Sequence, residues 1–548
     1  MKIKQVTLVL LMLIVLTMIE KLNSQVQLEW AARYNSASNG NDYARAMAID
    51  SMGNVYVTGT DADLPYGFIT LKINSSGQIV WARRYSGGQA FIPVPQAISV
   101  DLNGNVYVGA EDVTYIIVSY DSIGNERWVR RHSGTAGGRS QLYDVELYRD
   151  TGSVITTVQG PVATGYVKNI GTNWDVGTVK YNTNGDVVWV RNYAPNNSDD
   201  QGGIAMATSD QTNITITGFS GYSDFLTLSY DINGNLRWAQ TWNGPANNWD
   251  QANDVAVDKN GNTYVTGYSV MAPPFDDDIV TIKYDSNGTQ QWIRFYDGPK
   301  DTGSYDYGEF IKTDDDGNVI VAGGEMGVST FLDYCTIKYD SLGNQLWVRT
   351  YNGVANRSDF VEGLAVDRFG SVYVTGTADE RVNFYRIHTI KYDKDGNQLW
   401  LEKYPEYNTI SSPAAIIVDK NLNVYIAGTI SFNPSDIIVL KYSQLTNVET
   451  ILNELPEGFA LYQNYPNPFN ASTKIDFRLH VSGFTSLKIY DVFGREVATL
   501  VNQKKEPGEY SVGWNADGLS SGVYYYRMTV HHSPYGLKTD TKKMAVIK

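Results

Sequence analysis

The stretch Tyr339-Asp340-Ser341-Leu342-Gly343-Asn344-Gln345-Leu346-Trp347-Val348-Arg349-Thr350-Tyr351 decides the fold. It reads as a strand ending at Tyr-Asp, a tight turn through Gly-Asn, and a second strand carrying one Trp. Apolar and polar residues alternate on both sides of the turn, the pattern of strands with one buried face. The unit recurs from Tyr120 to Trp128, Tyr230 to Trp238, Tyr284 to Trp292 and Tyr392 to Trp400, with looser copies from Ile73 to Trp81 and Tyr181 to Trp189. Trp30 opens the series with no Tyr-Asp strand before it. Tyr442-Ser443 ends it with no Trp after it.

Each repeat holds four strand-like pieces: a Trp strand (238–242), a strand ending in Asp (252–258), a strand after a Gly-Asn turn (262–267) and the Tyr-Asp strand (279–284). The third piece returns at 54–59, 105–109, 318–323, 371–376 and 423–428, more weakly at 153–160 and 213–218. Trp30, Trp81, Trp128, Trp189, Trp238, Trp292, Trp347 and Trp400 lie about 53 residues apart. Four strands in a period of that size predict an all-β chain forming an eight-bladed β-propeller. Seven blades is the alternative, because the third and fourth copies are poor. The unmatched ends complete one another. The strand around Trp30 can serve as the outer strand of the last blade, beside 436–442, and closure leaves no long exposed edge. Over residues 25–443 the units resemble the bacterial β-propeller repeats called SBBP repeats, a resemblance that specifies architecture and says little about ligand.

The 548 residues suffice for two or more domains. A net charge of −15 argues against nucleic acid and against an anionic membrane surface as partners. A single cysteine, Cys335, rules out an intramolecular disulfide. Residues 1–24 read as a secretory signal peptide: Lys2 and Lys4, then an apolar run over 6–19, with cleavage expected after Ser24. That run is short for ~30 Å of hydrocarbon, and no transmembrane segment is expected in the mature chain.

Successive connections in such a repeat fall on opposite faces. One set (101–105, 258–262, 393–397) is short and uniform, with Gly and Asn tolerating positive φ. The other set (193–203, 242–253, 270–278, 296–308, 351–363) is long and irregular, and binding residues usually sit on such loops. There Trp242, Trp249, Tyr305 and Tyr307 accompany Asp250, Asp276 and Asp278, with Asp199, Asp200, Asp277, Asp301 and Asp306 nearby. Aromatic faces beside acids and amides suit a sugar. The competing reading is solvated loops whose aromatics plug blade junctions.

Little points to catalysis. Within the repeats the only histidines are His132 and His388, and no Gly-x-Ser-x-Gly elbow occurs. Cys335 sits inside a strand pattern. Asp314-Asp315-Asp316-Gly317 and Asp393-Lys394-Asp395-Gly396 lack the spaced carboxylates and distal Glu of a calcium loop. No catalytic residue, metal or cofactor is therefore assigned. The Trp-bearing ends resemble the docking repeats of quinoprotein dehydrogenases, and the Asp-x-x-Gly-x-x-x-Trp turn is similar to a sialidase Asp-box. A secreted enzyme, glycan-active or quinoprotein-like, with its site on the long-loop face is the alternative. Arg83, Arg130, Arg191, Arg294 and Arg349 occupy matching repeat positions and read as structural.

After a linker at 444–456, residues 457–548 show six strand patterns (473–479, 485–490, 496–500, 510–514, 522–530, 542–547), which predict a small Ig-like β-sandwich. Three motifs stand in it: Tyr465-Pro466-Asn467-Pro468-Phe469-Asn470, the turn through Gly494-Arg495, and the strand start from Gly522 to Tyr524. They resemble the type A C-terminal sorting domain of the type IX (Por) secretion system, with Ala471 and His480 as departures. The resemblance implies Sec export, passage through the outer membrane with the type IX machinery as partner, removal of the domain, and release or surface attachment. The expected function is non-catalytic binding or adhesion outside the cell, with a glycan or a surface protein as ligand.

Overall fold

A computed structural model describes residues 26–444 and 459–547, apart from short stretches at 88–91, 138, 150–157, 196–199, 209–212, 222, 272–275, 301–302, 382–383, 406–408, 432–433, 480–481, 493, 507 and 533–535. The expected signal peptide and nearly all of the expected linker lie outside the described residues. The chain divides into two units, 1–445 and 446–548.

The first unit consists of four-stranded antiparallel sheets, and no helix occurs among its described residues. Seven sheets take four consecutive strands each, in the order in which the chain forms them. The fifth, for example, is Asp250–Val257, Thr263–Val270, Asp277–Tyr284 and Gln290–Tyr296. The eighth takes three strands from the end of the unit, Ile410–Val418, Val424–Ser431 and Ser435–Gln444, and its fourth from the start, Val26–Tyr34. That first strand lies antiparallel to Ser435–Gln444, with Trp30 opposite Lys441 and Ala32 opposite Val439. Glu29 and Lys441 reinforce the pairing with an ion pair at 2.6 Å. The first strand of each sheet packs on that of the next, and Ile410–Val418 packs on Tyr43–Ile49, so the circuit returns to its start.

The core lies between sheets. One cluster joins Tyr264, Ile279 and Trp292 of the fifth sheet to Ile311, Val321, Cys335 and Ile337 of the sixth. Second and third strands are covered on both faces, so Val319–Met326 and Leu332–Tyr339 are buried almost throughout. That double coverage explains near-continuous apolar runs where a one-faced sheet would alternate. In outer strands such as Gln345–Tyr351, by contrast, only the Trp is buried.

Each outer Trp reaches the next sheet. Trp292 donates its indole N–H to the Ser341 carbonyl at 3.2 Å, and its ring lies against Gly343. A Cβ at Gly343 would meet the ring at 2.9 Å, and its φ of +83° suits glycine. The turn is held by Asp340, which accepts from the N–H groups of Leu342 and Asn344 and from the Asn344 amide. Arg294 donates to the Gly343 carbonyl at 2.6 Å and lies over its own Trp292 ring, so this repeated Arg is structural.

The second unit pairs a sheet of Phe459–Leu461, Ser472–Leu479 and Gly508–Asn515 with a sheet of Glu496–Lys505, Gly483–Tyr490, Gly522–His532 and Gly536–Val546, around one core. Among its described residues it has seven strands where six were expected. The short Phe459–Leu461 strand was too brief to show a period.

Removing residues 26–34 from the full chain strips the eighth sheet of its outer strand and exposes Ser435–Gln444 as a bare edge. The truncated chain is expected to sediment as aggregates at concentrations where the intact chain is monodisperse. A monodisperse, equally heat-stable truncation would show that this pairing is dispensable.

Candidate functional site

The long loops repeat more than their sequences suggest. Asp306 heads the first strand of its sheet and accepts from the Gly298 N–H at 2.8 Å and the Met326 N–H at 2.7 Å. Asp42, Asp250 and Asp359 do the same for Ser36, Gly244 and Gly353. Asn39, Asn247 and Asn356 hold matching positive-φ corners. Asp250, read from the sequence as a ligand residue, is therefore buried and committed to stapling its own loop. Asp276 and Asp278 are also buried, and Asp278 is pushed up to about 7 by burial and by Asp297, Asp276 and Asp306. Trp242 is half-buried between Phe225 (5.2 Å) and Phe295 (6.0 Å), filling a junction rather than facing the rim.

Three of the expected residues do come together. Tyr305 and Tyr307 lie 5.4 Å apart, Tyr305 packs on Tyr268 at 5.9 Å, and Trp249 acts electrostatically on the Tyr268 hydroxyl. Trp249 (53 % exposed) and Tyr305 (42 %) present their rings to solvent. A polar chain runs inward: Tyr268 donates to Gln251 Oε1 (3.3 Å), Gln251 to Asn253 Oδ1 (2.9 Å), and Asn253 to Glu309 Oε2 (3.4 Å).

Asn253 and Glu309 share a backbone feature. In all eight first strands the register slips by one residue near the long-loop end, leaving Arg45, Gln96, Tyr143, Ile204, Asn253, Glu309, Glu362 and Ala414 as bulged residues. Each is at least partly exposed, while the residue before it is buried. Bulges commonly re-aim side chains at barrel rims and active sites. Burial and Asp254 push the Glu309 carboxyl up to about 7, and burial pushes Glu362 to about 7 although it accepts from the Thr377 hydroxyl.

On the short-turn face, cavities of about 440 Å³ open beside Asp258 and Asp314 and beside Asp50 and Asp419. Their carboxylates hold the turns: Asp314 accepts from the Asp316 and Asn318 N–H groups and pairs with Lys338 at 2.9 Å. Among the described residues no group of three or more His, Cys, Asp or Glu comes together to hold a metal ion. Cys335 is buried, with its thiol pushed well up by burial, and His388 is enclosed between Tyr351 (2.7 Å) and Glu380 (3.0 Å).

Residues 463–542 match the family described as secretion system C-terminal sorting domain, and 29–60, 245–269 and 349–381 match the β-propeller repeat family SBBP. The chain is an SBBP-repeat propeller protein with a type IX secretion sorting domain. It is thereby a secreted or cell-surface protein. It is 24% identical over 494 residues to an uncharacterized WD repeat-containing protein of Acanthamoeba polyphaga mimivirus, with 74% of this chain aligned, and spans only 30% of that relative's length. Among solved structures it is similar to the WD40 domain of SCAP from fission yeast (9% identity, 76% of this chain, 97% of that one, TM-score 0.41). It is also similar to a fungal alcohol oxidase of the AA5 family (12% identity, 96% and 100%, TM-score 0.39).

In the sorting domain the motif residues divide between core and surface. Phe469 is buried, edge-on to Trp514, which in turn meets Tyr524. Asn467 and Phe469 tie the motif to the last strand through Ala545. The Pro466 carbonyl accepts from Asn464 and Thr473. Tyr465 is 81 % exposed. Asp491 ties down Arg495 and accepts from Gly494 N–H, whose φ is +78°. Gly522 opens its strand, and Tyr524 donates to the Ser520 carbonyl.

Sequence reasoning missed Tyr268, Gln251, Asn253, Glu309 and Glu362 in this propeller protein. The available signal was Glu362 standing in an otherwise apolar first strand; the strand of Glu309 also carries Lys312 and gave none.

Asp306→Ala should cost about 2 kcal/mol in urea unfolding by orphaning two loop N–H groups, whereas Trp249→Ala should fall within about 0.5 kcal/mol. A silent Asp306→Ala would refute the staple. The folded state keeps Glu309 and Glu362 protonated to about pH 7, against an unfolded value of 4.5. Their contribution is present below 4.5 and lost as pH rises through 7. Glu362→Gln should therefore raise the melting temperature by roughly 2–4 °C at pH 8 and leave it unchanged at pH 4. Equal gains at both pH values would contradict the assignment.

Proposed function

We propose that this chain is an eight-bladed propeller whose long-loop rim binds a saccharide at the cell exterior without transforming it. In this reading the N-terminal signal starts export, and an Ig-like sandwich carrying the sorting motifs completes it. The strand circuit and the pairing of Val26–Tyr34 with Ser435–Gln444 support the blade count. One observation carries the binding function: Trp249, Tyr268, Tyr305 and Tyr307 form an open aromatic floor, with Gln251, Asn253 and Glu309 hydrogen-bonded beside it. Rings pack on the C–H faces of a pyranose, and amide and carboxyl groups meet its hydroxyls.

An enzymatic role has one observation in its favour. Tyr307 is within electrostatic reach of both Glu309 and Glu362, and carboxyls titrating near neutrality are what acid–base catalysis requires.

A glycan array probed with the full secreted chain tests both readings. Saccharides are expected to be retained intact, and Tyr305→Ala and Trp249→Ala should each weaken binding about tenfold, near 1.4 kcal/mol. A blank array, or retention unaffected by both substitutions, would remove the saccharide. Shortened products after incubation would establish the enzyme.

A further inference from the structure

The rim holds two acidic groups that no neighbouring cation answers. Glu309 and Glu362 are the bulged residues of adjacent sheets, and Tyr307 interacts electrostatically with both. Among the described residues neither carboxylate forms an ion pair. Lys312, on the strand of Glu309, is engaged by Asp254 at 3.5 Å. Both Glu side chains take hydrogen bonds from neutral donors, the Asn253 amide and the Thr377 hydroxyl. The one basic bulge residue, Arg45, belongs to the first sheet, two places beyond Glu362. One arc of the rim is thus acidic and lined by Tyr faces.

A half-buried carboxylate without a cation is unfavourable, and the hydroxyl of a neutral sugar does not neutralise it. A cation over aromatic faces gains from the ring quadrupole as well as from the acid. We propose that this arc, within the saccharide site inferred above, binds the charged amino group of an amino sugar. The ammonium lies over Tyr305 and Tyr307, with Glu309 as its counter-ion and Glu362 flanking it.

The titratable groups facing Glu309 are Asp254, Tyr268, Tyr305 and Tyr307, and Glu362 faces Tyr307 and Tyr334 and the Thr377 hydroxyl. Burial pushes all four tyrosines upward, so they stay neutral. Between pH 6 and pH 8 the two Glu carboxyls lose their protons, and Asp278 of the fifth sheet, beside the Asp277 that faces Tyr305, adds charge of the same sign. Affinity for a cation should rise across that interval.

The test compares two oligomers of equal length on the full chain by calorimetry. One is built of N,N,N-trimethylglucosamine, whose charge does not titrate, and the other of neutral N-acetylglucosamine. At pH 8 the charged oligomer is expected to bind at least tenfold more tightly than the neutral one, and the preference should shrink several-fold at pH 6. Glu309→Gln, which keeps the side-chain shape, should abolish the preference while leaving the melting profile cooperative. Glu362→Gln should reduce it. Neutral binding equal to or tighter than charged binding would overturn the amine site and leave the saccharide reading standing. So would a preference that survives Glu309→Gln. Failure of both oligomers to bind would remove both.

Discussion

One contact joins each sheet of the first unit to the next: an outer-strand Trp seated on the glycine of the following turn. Seven times the indole N–H reaches a carbonyl in that turn, from Trp30 to Ser75 through to Trp347 to Lys394. Gly77, Gly124, Gly185, Gly234, Gly288, Gly343 and Gly396 all lie so close that a Cβ would come within 2.6–2.9 Å of the ring. The turn needs glycine for its positive φ, and the indole needs it for access, so one residue type satisfies two constraints at once. The eighth joint differs because the chain leaves the sheet at Gln444. There Trp400 donates to the Gln444 side chain at 3.4 Å.

The same joint explains the reach of sequence reasoning. Trp, Gly, Asp and Asn recur because local turn chemistry and neighbour packing demand them at fixed offsets, so the period, the four strands and the strand borrowed from the N-terminus were all legible. Register was less so. The strand beside 436–442 was expected, but not that Trp30 lies opposite Lys441, a pairing set by the irregularity between Leu28 and Trp30. Bulges leave no period of their own and are visible only once partners are known.

The candidate site was half legible for a related reason. Trp249, Tyr305 and Tyr307 announce themselves as large aromatics in loops. The acids beside them in sequence mislead, because Asp250 and Asp306 point back into the loop as acceptors for buried N–H groups. A loop that looks irregular residue by residue can still be built on a repeated staple, and an isolated Asp at a strand start does not reveal which role it has. Glu362 was hidden for the opposite reason, sitting inside a strand that otherwise reads as core, and Glu309 because nothing in its mixed strand marks the bulge.

Within one chain the repeats provide their own comparison. The turn Asp, the turn Gly and the outer Trp hardly vary, because each is held by contacts on several sides. The bulged position takes Arg, Gln, Tyr, Ile, Asn, Glu, Glu and Ala in the eight sheets. A bulge lifts one residue out of the ladder, so its side chain answers to whatever occupies the rim rather than to the sheet. Architecture and recognition are thereby separated at single-residue resolution: the joint fixes where each first strand stands, and one extra residue in each strand chooses what the rim presents. Under the binding function proposed above, selectivity would lie in those eight side chains and the loop aromatics, while the repeated turn and Trp positions, each held on several sides, could diverge very little without loosening the joints.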